Sequence, residues 1–113
     1  MSVSDDISQI VKERGLSTSF SDFLFLLDDV KNLVAKELEN RKNGINGTGT
    51  VQELELIFNE LVKIGDLVKQ GQLPPPDQRD LASGRIVIDS WPSKDVLGEK
   101  VCRVSFLYKH TLE

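Results

Sequence analysis

The sequence has few of the residues on which disulfide-bonded, metal-binding and histidine-dependent proteins are built. Among its 113 residues there is one cysteine, Cys102, and one histidine, His110. A single cysteine excludes an internal disulfide and a cysteine-based metal cluster. A single histidine makes every Ser-His-Asp or Cys-His arrangement depend on that one residue. We therefore expect a non-enzymatic protein with no catalytic residues, no metal and no other cofactor.

Long apolar runs are absent as well. No stretch approaches the ~18 consecutive apolar residues that a membrane-spanning helix needs. The first seven residues are polar and acidic, whereas a secretory signal has a basic segment followed by an apolar one. The net charge of −4 argues against a polyanion such as nucleic acid as the main partner. Together these features predict a soluble, cytoplasmic protein without a membrane partner.

Two long stretches, in contrast, show the apolar repeat of an amphipathic helix. The first runs from Phe20 to about Lys42 and the second from Val51 to about Gln70. Their apolar residues recur every three or four positions, which places them on one helix face. In the first stretch they are Phe20, Phe23, Leu27, Val30, Val34 and Leu38, and in the second Val51, Leu54, Phe58, Leu61 and Val68. The short loop between the two predicts an antiparallel helical hairpin over residues 19–71.

Capping residues mark both ends of these helices. Each start combines a hydroxyl residue with an acidic residue three positions later, and each end is followed by a glycine. The start pairs are Ser19 with Asp22 and Thr50 with Glu53, and the glycines are Gly44 and Gly71. A further glycine, Gly65, lies inside the second helix, where it costs about 1 kcal/mol of helix propensity. We interpret it as a place where a neighbouring backbone approaches closely.

The flanking segments predict one more helix and two strands. Residues 1–15 have a narrow apolar stripe, acidic residues in the first turn and basic residues in the last, as a short helix has. After three prolines, which end the second long helix, residues 85–91 are rich in β-branched side chains. Residues 100–110 alternate between two faces, with Cys102, Val104, Phe106 and Tyr108 on one of them. We interpret the two segments as a β-hairpin over residues 84–110.

The predicted fold class is therefore α+β, in one domain of residues 1–113. A short N-terminal helix and a long helical hairpin are followed by a C-terminal β-hairpin that packs on the helices, because a two-stranded ribbon is marginal alone. We interpret Leu112 and Glu113 as a remnant of cloning, without functional weight.

Two patterns resemble ligand sites but have simpler interpretations. The loop Gly44–Gly49 leads into a helix, as phosphate-binding loops do, yet it follows a helix and lacks the Lys-Ser/Thr pair of that motif. The acidic residues of the two long helices are mostly adjacent or two apart and interleave with lysines. This spacing indicates a solvated charged face rather than a bundle metal site.

The apolar surface of the two long helices is wider than their mutual contact. We predict that Leu26, Leu33, Ile57 and Ile64 form a row that faces a partner. Trp91 is a second candidate contact, although the role we favour for it is a lid over the core at a strand end. We therefore hypothesise that the protein acts by protein–protein interaction, as an adaptor, regulator or complex subunit. A homodimer would bury the surplus surface in a four-helix arrangement.

Two other functions are kept as alternatives. One is a small-ligand binder or enzyme whose site forms at a dimer interface, which a concave pocket with perturbed ionisable groups would favour. The other is nucleic-acid binding through the basic residues of the predicted β-hairpin. That function requires Arg85, Lys100 and Arg103 to form one continuous positive face.

Overall fold

The computed structural model describes residues 19–112, and this part of the chain is helical. Its elements are α1 (Phe20–Lys42), α2 (Val51–Lys69), a 3₁₀ turn (Pro76–Gln78), α3 (Ala82–Ser90) and α4 (Val96–His110). No strand occurs between residues 19 and 112. The helix predicted over residues 1–15 lies outside the described residues.

The predicted helical hairpin is present as α1 and α2. Lys42, the last residue of α1, lies with its Nζ 3.5 Å from a carboxylate oxygen of Glu55 near the start of α2. At the other end, a methyl group of Leu27 packs 3.1 Å from where a Cβ at Gly65 would lie. The two helices are therefore antiparallel. Gly65 admits a neighbouring side chain, where the sequence suggested a closely approaching backbone.

The predicted caps of this hairpin are also present. The Ser19 hydroxyl accepts a hydrogen bond from the Asp22 N–H at 3.1 Å. Thr50 and Glu53 form a reciprocal capping box, with hydrogen bonds of 3.1 and 3.0 Å. Beyond the C-terminal ends, both predicted glycines have a positive φ, which a residue with a side chain adopts only at a cost. These angles are +79° at Gly44 and +69° at Gly71.

The predicted β-hairpin over residues 84–110, and with it the α+β class, is wrong, because this segment forms α3 and α4. Residues 101–108 fit two repeats at once. The alternating interpretation placed Cys102 and Phe106 beside Val104 and Tyr108. The helix instead buries Val101, Val104 and Tyr108 at spacings of three and four, and it leaves Phe106 50% exposed. The segment adopts the helical repeat because a helix buries this apolar stripe of three residues against α1.

Capping groups at the starts of α3 and α4 explain why residues 84–110 form helices in spite of their local propensity for strands. Asp95 caps α4, since its Oδ2 accepts the Gly98 N–H at 2.7 Å. The position before α3, Leu81, has no capping side chain. Glu60 of α2 supplies that cap by accepting the N–H groups of Ala82 and Ser83 at 3.1 and 2.8 Å. A β-branched segment thus becomes helical with a cap that comes from another helix.

The four helices close a ring around one core. Each helix contacts two neighbours, so that α1 packs on α2 and α4, and α3 packs on α2 and α4. The core draws on all four helices and on the C-terminal residues beyond α4. At its centre Phe23 of α1 stacks on Tyr108 of α4, with ring centroids 5.9 Å apart. The four-helix arrangement that we expected from two copies is therefore made by a single chain.

A buried arginine joins the α2–α3 linker to the end of α4. Arg79 is 8% exposed. Its Nε donates to the Pro74 carbonyl at 2.6 Å, and its Nη1 donates to the carbonyls of Tyr108 and Leu112 at 3.3 and 3.1 Å. Burial lowers the pKa of Arg79 from its usual value. Leu112 is itself buried and belongs to the core.

The loop between α1 and α2 is tied to both α1 and α4. Glu37 accepts the Thr48 N–H at 3.2 Å, and the Arg41 Nε donates to the Gly49 carbonyl at 3.0 Å. The Thr48 hydroxyl donates to Asp95 at 2.5 Å. These bonds place the loop over the end of the core nearest the start of α4.

Gly49 lies directly against the indole ring of Trp91. Its φ is +76°, and a Cβ built there would lie 2.8 Å from the nearest ring atom. The ring is 6% exposed, so Trp91 closes the core, which is the role that we favoured for it from the sequence. Both the backbone angle and the space at this position require glycine.

A pair of glycine substitutions separates these two requirements. We expect Gly44→Ala to lower the free energy of unfolding by about 1 kcal/mol, since a positive φ is strained but the space is open. We expect Gly49→Ala to lower it by about 2 to 4 kcal/mol, because the methyl group also displaces the indole. Urea denaturation followed by Trp91 fluorescence measures both. Equal losses for the two variants would show that the contact with Trp91 does not matter.

Removal of the Arg79 side chain tests the joint between the linker and α4. We expect Arg79→Ala to lower the free energy of unfolding by about 2 to 4 kcal/mol, because it leaves buried carbonyls without a donor. The exposed Arg103→Ala is the control, and it should change that free energy by no more than about 0.5 kcal/mol. Denaturation followed by circular dichroism compares them, and similar values would contradict a structural role for Arg79.

Candidate functional site

Two clefts flank α4, one on each side. The first, here called the α3–α4 groove, has a volume of about 490 Å³. The second, here called the α1–α4 cleft, has a volume of about 570 Å³. Both lie within the ~300–1,000 Å³ range of small-molecule sites. Many of the charged, hydroxyl, thiol and imidazole side chains in the C-terminal half of the chain line one of these two clefts.

The α3–α4 groove has apolar walls that are open to solvent. Ile88 of α3 is 76% exposed and Phe106 of α4 is 50% exposed, and both line the groove. Between them the two helices approach closely, because a Cβ at Gly84 would lie 2.8 Å from the Ser105 hydroxyl oxygen. The result is a shallow apolar trough with a hydroxyl group in its floor.

Charged residues of both signs border this groove. Arg85 and Lys109 are basic, whereas Asp80 and Asp89 are acidic. Lys109 hydrogen-bonds to the Asp80 carboxylate, and this bond together with the lysine charge lowers the pKa of Asp80. The His110 ring packs against Phe106, with centroids 4.8 Å apart. The groove therefore has no strong charge of either sign.

The groove also holds the lone cysteine, but without an activating partner. Burial raises the pKa of the Cys102 thiol above its usual value, so the thiol is protonated at neutral pH and is a weak nucleophile. No hydrogen bond between residues 19 and 112 joins His110 to Cys102 or to Ser105. A nucleophile held by a base is the signature of covalent catalysis, and this arrangement does not have it.

The α1–α4 cleft differs in charge and in its neighbours. Leu33 of α1 and Leu97 of α4 contribute apolar surface to it. Its basic side chains are Lys36, Lys94 and Lys100. Thr48, from the loop that the sequence compared with a phosphate cradle, lies at its edge. This cleft is the more basic of the two.

The predicted partner-facing row does not form one surface. Ile57 is completely buried and Ile64 is 3% exposed, because α1 and α3 of the same chain pack on α2. Leu26 is half-buried against the core, and Leu33 is half-buried in the α1–α4 cleft. With Trp91 buried as well, three of these five predicted contacts are core residues. The sequence shows how many apolar residues need cover, but not which segment covers them.

The three basic residues considered for nucleic-acid binding are also separated. Arg85 lines the α3–α4 groove, whereas Lys100 lines the α1–α4 cleft on the opposite side of α4. Arg103 is exposed on α4. The continuous positive face that this function requires is therefore absent from residues 19–112.

The most exposed groove residues were missed because they were assigned to strands. On a helix, Phe106 lies two positions from both Val104 and Tyr108, which takes it off their buried stripe. A test of both repeats over residues 96–110 would have identified it as exposed. No local signal marks Glu60 or Arg79, since each acts on residues far along the chain.

Comparison with known proteins does not assign this chain to a group: no family model, no curated protein and no solved structure matches it. Within residues 19–112, no three side chains of metal-ligating type lie together in a way that could hold an ion. None of the described helices has the length and apolar character needed to cross a bilayer. The geometry of the two clefts is therefore the basis for a functional hypothesis.

The environment of Cys102 predicts slow reaction with alkylating reagents. Because burial raises its pKa and limits access, we expect iodoacetamide to react roughly tenfold more slowly with the native protein than with the denatured protein. Mass spectrometry of samples quenched over time gives both rates, with free glutathione as the reference thiol. A native rate equal to that of glutathione would contradict this assignment and would make Cys102 a candidate nucleophile.

Proposed function

We propose that the protein acts by binding another protein chain through the α3–α4 groove, and that the chain bound is a second copy. The observation that carries this proposal is the exposure of Ile88 and Phe106 on facing walls of one groove. In this reading the protein is a non-enzymatic subunit whose activity lies in the contact it makes.

The apolar walls supply the driving force. Complete burial of an isoleucine or phenylalanine side chain contributes about 1.5–3 kcal/mol, and both side chains are at least half exposed here. Exposed apolar patches of this kind mark interaction surfaces in proteins that otherwise cover their apolar groups. A second exposed pair, Phe25 and Val62, lines a smaller groove of about 260 Å³ between α1 and α2. The α3–α4 groove is therefore the better candidate.

The charges at the groove favour a second copy as the occupant. Arg85 and Asp89 lie one turn apart on α3. In a twofold interface every contact from one residue to a second residue of the other copy is repeated in the opposite direction. A twofold axis near the middle of α3 would place Arg85 opposite Asp89 of the second copy, and the same pair would form twice. A groove with both signs of charge is complementary to itself, whereas a strongly charged partner would find no matching surface.

The alternatives have less support. An enzyme would need a nucleophile or acid held by a base, and the described residues of the groove lack such a pair. Nucleic-acid binding would need a continuous basic surface, and Arg85 and Lys100 lie on opposite sides of α4.

Molar mass in solution tests the proposal. We expect light scattering on a sizing column to show a dimer that dissociates on dilution. We expect Phe106→Ser to weaken the dimer by at least about tenfold. Phe106 is 50% exposed, so its burial in the dimer contributes about half of the ~1.5–3 kcal/mol of a complete burial, once on each side of the interface.

A matched variant controls for the general loss of exposed apolar surface. Phe25 is 82% exposed on a different face, so Phe25→Ser should leave the dissociation constant of the dimer unchanged. A monomer at every concentration would overturn self-association. A dimer that responds to Phe25→Ser and not to Phe106→Ser would place the interface on α1 and α2 instead.

A further inference from the structure

Three lysines that have no partner line the α1–α4 cleft. Lys36 comes from α1, Lys94 from the segment before α4, and Lys100 from α4 itself. Within residues 19–112 none of them forms an ion pair or a hydrogen bond, whereas three other lysines are each paired with a carboxylate. Their ammonium groups are therefore available to a ligand in the cleft.

The two carboxylates of the same cleft are already engaged by the protein. Both oxygens of Asp95 accept hydrogen bonds, one from the Thr48 hydroxyl at 2.5 Å and one from the Gly98 N–H at 2.7 Å. Glu37 accepts the Thr48 N–H at 3.2 Å. These carboxylates bind the α1–α2 loop and the start of α4, and they do not pair with the lysines. The cleft keeps an excess of one positive charge in a chain whose net charge is −4.

Apolar surface adjoins these lysines. Leu33 and Leu97 are half-buried, and Val96 is 65% exposed beside them. The volume of about 570 Å³ suits a small organic molecule rather than a single ion. An apolar surface with a few charged groups at its rim is the usual composition of a small-molecule site.

We infer that the α1–α4 cleft binds a small organic anion, with an apolar body against Leu33 and Leu97 and a doubly charged group, such as a phosphate monoester, among the three lysines. Each ammonium group has three N–H donors, so several of the anion's oxygens can be bonded at once. The anion does not bind the N-terminus of α4, because the Asp95 carboxylate already caps it. This site is independent of the proposed function, since the α3–α4 groove lies on the other side of α4.

Phenyl phosphate is a suitable probe, because it combines an aromatic body with a dianion. A titration followed by the amide resonances of the ¹⁵N-labelled protein gives both the dissociation constant and the location of the site. We expect saturable shifts in residues that line the cleft. Phenol, which has the body alone, and inorganic phosphate, which has the anion alone, should each bind at least about tenfold more weakly. Added salt should weaken the binding of phenyl phosphate.

A pair of double variants makes the test specific. Lys36→Gln with Lys100→Gln should weaken the binding of phenyl phosphate by at least about tenfold. Lys63→Gln with Lys69→Gln removes the same charge from exposed positions of α2 and should leave the binding within about twofold. An amide spectrum that changes only near the substituted residues confirms that each variant is folded.

Two results would overturn the inference. One is equal weakening by the two double variants, which would show attraction to net charge alone. The other is the absence of saturable shifts in the cleft at any accessible concentration of phenyl phosphate. The light-scattering mass of the Lys36→Gln, Lys100→Gln variant should equal that of the wild type, so failure of this site and failure of the proposed dimer are distinguishable.

Discussion

The apolar stripe of α4 packs against α1, and the remaining architecture depends on that contact. Val101, Val104 and Tyr108 enter the core, with Tyr108 stacked on Phe23. Because α4 also contacts α3, and α3 contacts α2, the helical hairpin becomes a closed ring. The same placement of α4 creates a cleft on each of its sides. The burial of one stripe therefore determines both the core and the candidate binding surfaces.

Polar groups that act over long sequence separations hold this ring in register. Glu60 caps α3 from α2, Arg79 ties the linker to the end of α4, and Thr48 ties the first loop to Asp95. Each bond satisfies a polar group that would otherwise be buried without a partner or left uncapped at a helix end. Substitutions at Glu60 and Arg79 should therefore affect the fold rather than either cleft. This separation makes variants at Phe106 or at the cleft lysines interpretable as tests of binding.

The two sides of α4 differ in chemistry, and the proposals differ accordingly. The α3–α4 groove exposes Ile88 and Phe106 between charges of both signs, which suits a self-complementary protein contact. The α1–α4 cleft combines half-buried leucines with lysines that have no partner among residues 19–112, which suits an organic anion. The overall negative charge of the chain does not predict this site, because binding depends on the charges within a Debye length of the ligand.

By itself the sequence determined α1, α2 and their ends, because a three-four apolar repeat, capping pairs and terminal glycines are local signals that agree with one another. It also determined how much apolar surface needed cover. Tertiary structure decided what covered it: residues 101–108 fit a strand and a helix equally, and α3 receives its cap from Glu60, 23 residues before Ser83. Ile57 and Ile64 became core residues for the same reason. Burial against α1 and the cap from α2 stabilise these residues only once the helices are packed together, so no local sequence pattern indicates them.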